Sequence, residues 1–174
     1  MHAFPDLAEA SVDRSSQFRA AMRSMAATVT IVSTKSGDQR HGMTATAVTS
    51  VSMAPPSILV AVNRSASVHP ALARDGPLCI NILSECHKGL CADFSGAKKG
   101  EDRFQENDWG ERFGVPYLIN AQSNVFCTIE ETLDYGTHTL FLCRVDDVRL
   151  GRSSRPLVYL AGGFIPAIKV APCR

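Results

Sequence analysis

Two apolar, β-branched runs, SNVFCTIEETLDY (123–135) and HTLFLCRVDDVRL (138–150), stand back to back across one turn at Gly136. Strands this close in sequence close as an antiparallel hairpin, because parallel neighbours need a crossover of a dozen or more residues. The rest of the chain keeps that spacing. TVTIVST (28–34) is turned by SGDQR toward a second strand near 43–48. Pro55-Pro56 breaks the chain before SILVAVN (57–63), a continuous apolar run that reads as a strand buried on both sides. LCINIL (78–83) and PLVYLAGGF (156–164) supply two more strands. Helical patterns are fewer. Ser15 or Ser16 can cap SSQFRAAMRSMA, where Phe18, Met22 and Met25 form one apolar face. Ser67 can cap SVHPALARD, closed by Gly76-Pro77, and HKGLCADFSG (87–96) ends at Gly96. Strands outnumber helices without βαβ alternation, which predicts a mainly β fold: an antiparallel barrel with a few packed helices.

At 174 residues, with no repeat and no dividing linker, the chain reads as one domain over 15–170 behind a flexible N-terminus, 1–14. Apolar residues make up 45% and charged residues 20%, and the formal net charge is +1, so nothing points to nucleic acid or an anionic membrane. MHAFPDLAEASVDR lacks a basic stretch followed by an apolar one, and no apolar run approaches the roughly 20 residues of a spanning helix. A cytoplasmic location is the expectation. Cysteines stand at 79, 86, 91, 127, 143 and 173 without a C-x-x-C pair. Cys79, Cys127 and Cys143 fall in strand-like runs as small hydrophobes. Cys86, His87 and Cys91 match zinc spacing poorly, so reduced thiols and no metal are expected. Residues 97–116 are polar, with isolated Phe104, Trp109 and Phe113, and read as a long loop of the kind that often carries function.

The segment GMTATAVTSVSMAPPSILVAVNRSASVHP (42–70) concentrates the candidate chemistry. Thr44, Thr46, Ser50 and Ser52 have even spacing, so on one strand they share a face. MTATAVTSVS alone fits an edge strand and a ligand-facing strand equally well. Asn63, Arg64, Ser65, Ala66 and Ser67 lie between a strand end and a helix start, where free N–H groups, hydroxyls and a guanidinium favour an anion. A plain serine cap beside a solvated arginine gives the same string. Gly162-Gly163 is only a pair, so a G-x-G-x-x-G dinucleotide fold is not supported. No paired carboxylates or Ser-His-Asp set stand out; Asp134, Asp146 and Asp147 read as hairpin or surface charges.

Taken together, 42–56 and the 63–67 turn resemble the flavin-binding core of the short-chain flavin reductases, members of the flavin reductase-like, FMN-binding split-barrel family. The resemblance runs from about Phe18 to Phe164. It implies an antiparallel split barrel in which Met43, Thr44, Ala45 and Thr46, with Ser50, Val51 and Ser52, line the ribityl chain and isoalloxazine ring. Asn63, Arg64, Ser65 and Ser67 would hold the flavin phosphate, with Ala66 where the family often has serine. Arg103-Phe104, Tyr159 and Phe164 match positions near the cofactor, although core packing explains Tyr159 and Phe164 equally well. His138 follows Gly136-Thr137 where the family often has Gly-Asp-His, and would help hold the nicotinamide nucleotide; Thr137 departs from that pattern. Its distance in sequence from 42–70 suggests the opposite wall of a cleft. His41, His69 and His87 have weaker claims, with His69 a support for the phosphate loop.

What the resemblance implies is NAD(P)H-dependent reduction of FMN or FAD, with NADH or NADPH as co-substrate, for use by a separate flavin-dependent oxygenase. Hydride transfer between two bound nucleotides suits a site without an obvious acid or base. A homodimer walling the flavin cleft with both subunits is expected. The alternative is a non-catalytic flavin-binding protein on the same barrel. A pyridoxamine phosphate oxidase would need a further basic cluster, which is not found.

Overall fold

The computed structural model describes residues 13–167 except 75, 107, 153 and 154. The expected flexible N-terminus, the domain's end at 170 and Cys173 therefore lie largely or wholly outside the described residues. The first helix, α1 (Arg14–Arg23), is capped by Asp13 rather than by Ser15 or Ser16. The Asp13 carboxylate accepts from the Ser15 N–H at 3.1 Å and from the Ser15 and Ser16 hydroxyls at 2.5 and 3.1 Å. A carboxylate offers two charged acceptors to the positive end of a helix, and it wins over a hydroxyl.

Strands follow in hairpin order: β1 (Ala27–Thr28), β2 (Thr30–Ser36), β3 (Gln39–Ala45), β4 (Val48–Met53) and β5 (Pro56–Asn63). Helix α2 (His69–Leu72) leads to β6 (Pro77–Ile82). The expected helix over 87–96 is a broken series: a 3-10 turn at Glu85–His87, α3 (Leu90–Ala92) and a wide turn at Asp93–Ala97. The expected long loop is also structured. It holds a 3-10 turn at Gly100–Phe104 and the hairpin β7 (Trp109–Arg112) and β8 (Val115–Leu118). Phe113 and Gly114 both take positive φ at its turn, the pattern that matches the twist of a tight hairpin. The anticipated long hairpin is present as β9 (Ser123–Tyr135) and β10 (His138–Leu150), and β11 (Leu157–Leu160) and β12 (Gly163–Pro166) close the chain.

Seven strands form one antiparallel sheet in the order β3-β2-β6-β9-β10-β5-β4. Its two edge strands, β3 and β4, are consecutive in the chain and are joined only by Thr46 and Ala47. In a flat sheet those edges would lie about 29 Å apart, at ~4.8 Å per strand. Three Cα–Cα steps reach about 11 Å at most. The sheet must therefore curl until its edges meet, giving an antiparallel barrel split along the β3/β4 seam. The link is stitched on both sides: Thr30 Oγ1 donates to Ala45 O at 2.8 Å and Ala61 N donates to Ala47 O at 3.0 Å.

The barrel interior is packed by Val32, Val60, Val62, Ile80, Phe141 and Cys143 among others. A second apolar cluster lies outside β2, where Ile31, Leu90, Phe94, Phe104, Leu118 and Leu157 meet. Strands β2 and β6 are thus buried on both faces. Strand β5 is not, contrary to expectation: Val60 and Val62 face the core, while Leu59 and Ala61 stay half-buried on an outer face. The helical turns and β8 cover β2 and β6, whereas Leu59 and Ala61 of β5 line an open cavity with Met25 and Thr49. Phe104 and Trp109 complete the second cluster, with Phe104 4.8 Å from Trp109 and 5.1 Å from Phe94, whereas Phe113 is exposed and meets Phe126.

A polar knot fastens that covering layer. Buried Asn81 donates to Ile31 O and Ser33 Oγ, both at 2.9 Å, and accepts from Leu118 N at 2.7 Å and Asn124 Nδ2 at 2.9 Å. Ser33 in turn donates to Pro116 O at 2.6 Å. Asn81→Ala removes the acceptor of two buried donors and should lower unfolding stability by about 2–4 kcal/mol, at about 1–3 kcal/mol per orphaned group. Urea unfolding measures this, and a loss below about 0.5 kcal/mol, the scale of a bland surface change, would show the knot to be dispensable.

Candidate functional site

The seam positions the candidate residues. On β3, Met43 and Ala45 face the barrel core, while Thr44 and, just past the strand, Thr46 line an outer cavity. The Thr44 hydroxyl donates to Cys91 O at 3.0 Å, which ties β3 to α3. Gly42 permits this packing: a Cβ there would stand 2.7 Å from the Phe94 ring and 3.2 Å from Val32 O. The even spacing of Thr44, Thr46, Ser50 and Ser52 does not survive as one face. The chain leaves the sheet at Thr46 and re-enters at Val48, and a register shift between Ser50 and Ser52 puts a bulge at Val51. Val51 is exposed and Ser52 Oγ accepts from Ala54 N at 3.1 Å.

Two cavities meet at Thr46. One, of about 240 Å³, lies between Thr44, Ala45, Thr46, Cys91, Tyr159 and Phe164. The other, of about 740 Å³ and mostly apolar, opens past Ala47, Ser50, Ile58, Leu59 and Met25. Tyr159 and Phe164 sit edge to face at 5.6 Å across the β11/β12 hairpin, which β1 holds beside the seam. Tyr159 is 38% exposed, so its ring can cover a planar group. Phe104 cannot: it is 4% exposed and enclosed by Phe94 and Trp109, with Arg40 stacked 4.6 Å over its ring. It belongs to the core beneath the site.

The 63–67 loop is organised by Asn63. Its Oδ1 accepts from the Ser65 N–H at 2.9 Å and the Ser65 hydroxyl at 2.8 Å, an Asx turn. Ser67 does not cap α2, whose N-cap is Val68 without a side-chain bond, and a helix of four residues supplies little dipole. Ser67 instead accepts from Arg103 Nη1 at 3.2 Å, which leaves its own proton for an acceptor outside the loop. Arg103 also donates to Gly42 O at 2.8 Å and Lys98 O at 2.9 Å. All three partners are neutral oxygens, so this guanidinium brings an uncompensated positive charge to Ser67. Ala66 packs on the barrel core. Arg64 turns the other way, donating to Gly136 O at 2.5 Å and pairing with Asp134 at 3.6 Å.

His138 departs from the expected placement. As β10 pairs with β5, His138 is the direct cross-strand neighbour of Asn63, beside the loop rather than across a cleft. Its Nδ1 meets the Thr137 hydroxyl at 2.9 Å. Asp134, dismissed from sequence as a surface charge, anchors a hydrogen-bond chain: His69 Nε2 contacts Thr139 Oγ1 at 2.8 Å, and that hydroxyl donates to Asp134 at 2.5 Å. The Thr139 hydroxyl first, and then Arg64 and His69, hold the Asp134 carboxyl below its ordinary range. The cross-strand register Thr139↔Asp134 was the only signal for this in the chain, and it needs the hairpin to be read out.

Cys91, Cys127 and Cys143 offer no reactive group here. Burial pushes the Cys127 and Cys143 thiols up to about 12 and Cys91 up to about 11, so they stay protonated at neutral pH. His87 Nδ1 accepts from Ser84 N at 3.2 Å and serves the local turn. Among the described residues no cluster of His, Cys, Asp and Glu is arranged to hold a metal, and no helix is long and apolar enough to cross a membrane.

Residues 22–167 match the model of the flavin reductase like domain. FMN reductase (NADH) RutF 2 of Methylorubrum extorquens (strain PA1) is 39% identical over 145 residues, covering 83% of this chain and 84% of the relative. The reductase component of the FADH(2)-dependent resorcinol hydroxylase of Rhizobium sp. (strain MTP-10005) is 41% identical over 145 residues, 82% of this chain and 81% of its own. Among solved structures, the styrene monooxygenase flavin reductase of Pseudomonas putida S12 superposes with a TM-score of 0.81 at 27% identity, covering 89% of this chain and 99% of that one.

Proposed function

Since this chain belongs to the flavin reductase like family, we infer that it is an NAD(P)H:flavin oxidoreductase, reducing free FMN or FAD for use by a separate oxygenase component. The observation that carries this reading is the pairing of two features along the seam. An aromatic-walled cavity at Thr44, Thr46, Tyr159 and Phe164 suits a planar ring, and the Ser67–Arg103 pair at the neighbouring loop suits a phosphate. The bound nucleotides supply the chemistry, a hydride passing from nicotinamide C4 to flavin N5. The protein's part is positional. Thr46 and Tyr159 bound the ring cavity, and Ser67 offers a hydroxyl proton backed by the Arg103 charge. His138 meets the Thr137 hydroxyl through Nδ1, and in the tautomer in which Nδ1 accepts, Nε2–H can donate to the nicotinamide nucleotide. Free thiols among the described residues suit work in the cytoplasm.

The chain is also proposed to work as a homodimer. Helix α1 buries none of its residues and leaves Phe18 64% exposed, Met25 just after it is 61% exposed, and Met53 on the edge strand is 81% exposed. Together with the outward Leu59, these apolar groups ask for a cover, and a second copy across a two-fold axis is the commonest one. Light scattering should return about twice the 18.8 kDa chain mass, and a value near one chain mass would contradict the dimer.

Absorbance at 340 nm tests the activity. NADH or NADPH should be consumed only when FMN or FAD is added. His138→Ala should raise the Michaelis constant for NADH about tenfold at saturating flavin, or ~1.4 kcal/mol. Flavin binding without nucleotide oxidation would instead mark a flavin carrier. A variant with the wild-type NADH dependence would remove His138 from the site.

A further inference from the structure

The β11/β12 hairpin that walls the ring cavity has a cation at each end of its aromatic pair. Lys88 Nζ stands 5.8 Å from the centroid of the Phe164 ring. Arg23 Nη2 donates to Ala161 O at 3.2 Å, at the turn between Tyr159 and Phe164. Neither side chain joins an ion pair among the described residues. Among the described residues no carboxylate lines the ring cavity or the larger cavity past Thr46.

The backbone explains why Lys88 is there. Lys88, Gly89, Ala92 and Asp93 all take right-handed helical φ/ψ, and Cys91 N donates to Lys88 O at 3.3 Å. Positions three apart on such a turn share a face. Cys91 is buried and lines the ring cavity, so Lys88 stands one turn before it on the exposed rim. The Phe164 face holds the ammonium without a carboxylate to cancel its charge. Reduction passes two electrons and one proton from NAD(P)H to the flavin as a hydride. The neutral ring becomes an anion, and the nicotinamide becomes NAD(P)+. The charge on the flavin phosphate is the same before and after. A cation at the rim therefore acts on the difference between the two ring states.

We propose that Lys88, backed by Arg23, favours reduced over oxidised flavin in the ring cavity, so that the site retains its product more firmly than a neutral wall would. The assignment rests on the flavin reductase reading of the seam.

Anaerobic titration of the purified protein with oxidised FMN and with dithionite-reduced FMN tests it, in wild type, Lys88→Met, Lys88→Glu and Lys88→Arg. The quantity read is the ratio of the two dissociation constants, in which any effect on the phosphate cancels. Lys88→Met should shift that ratio against reduced FMN about threefold, the scale of one screened unit charge. Lys88→Glu should shift it about tenfold, or ~30 mV in the midpoint of the bound two-electron couple. Lys88→Arg should keep the wild-type ratio. Both shifts should shrink in about 1 M salt, where charges are screened within ~3 Å. Equal weakening of both forms of FMN would make Lys88 a packing group on Phe164 and overturns this assignment. An unchanged ratio in both Lys88→Met and Lys88→Glu overturns it too, and either result leaves the flavin reading standing. Wild-type protein that binds FMN in neither form overturns both readings.

Discussion

The two-residue link at Thr46-Ala47 is the constraint on which the rest of the molecule depends. It joins strands that stand at opposite edges of a seven-stranded sheet, and it is far too short to cross a flat one. Curling the sheet is the only solution, and the curl leaves a seam where backbone, hydroxyls and small side chains stay open. Both cavities beside Thr46 exist because the barrel closes there by a link and not by a further ladder. The serine loop reaches the same seam because β5 ends next to β10, and Arg103 then bridges it to Gly42 on β3.

Closure alone would leave β2 and β6 half exposed. The chain spends 85–118 covering them, and it fastens the cover with the Asn81 network instead of apolar contact alone. Each buried donor and acceptor named in that network has a partner, which is the condition under which a buried polar group fixes one arrangement without a heavy desolvation cost. The same layer carries Cys91, whose carbonyl anchors Thr44, so the cover and the ring cavity are mechanically one piece. Among the described residues the opposite side of the barrel has no such layer: Leu59 stays half-buried and α1 buries none of its residues.

Much of this was legible in the chain, because hairpins are local. The β9/β10 hairpin, the strand at 78–83 and the barrel class follow from alternation and turns that lie within a few residues of one another. What was not legible depends on contacts distant in sequence. The strand break at Thr46-Ala47 carries no proline or glycine, and only the barrel's closure puts it there. Ser67 looks like a helix cap until Arg103 arrives from another element. Phe104 looks like a ligand-facing aromatic until Phe94 and Trp109 enclose it. His138 seemed remote from the loop because it is remote in sequence, whereas cross-strand register makes it the neighbour of Asn63. The family resemblance pointed to 42–56 and 63–67, and the fold sets Ser67 beside Arg103 while turning Arg64 toward Asp134.

Amide hydrogen exchange with and without saturating FMN tests the central claim most directly, because it reports where the ligand sits without altering a residue. The seam account predicts slowed exchange at 43–47 and 63–67, with little change at 119–124 and 149–152, at the polar recess beside Arg149. Protection confined to that recess, or absent from both seam segments while flavin is bound, would contradict it.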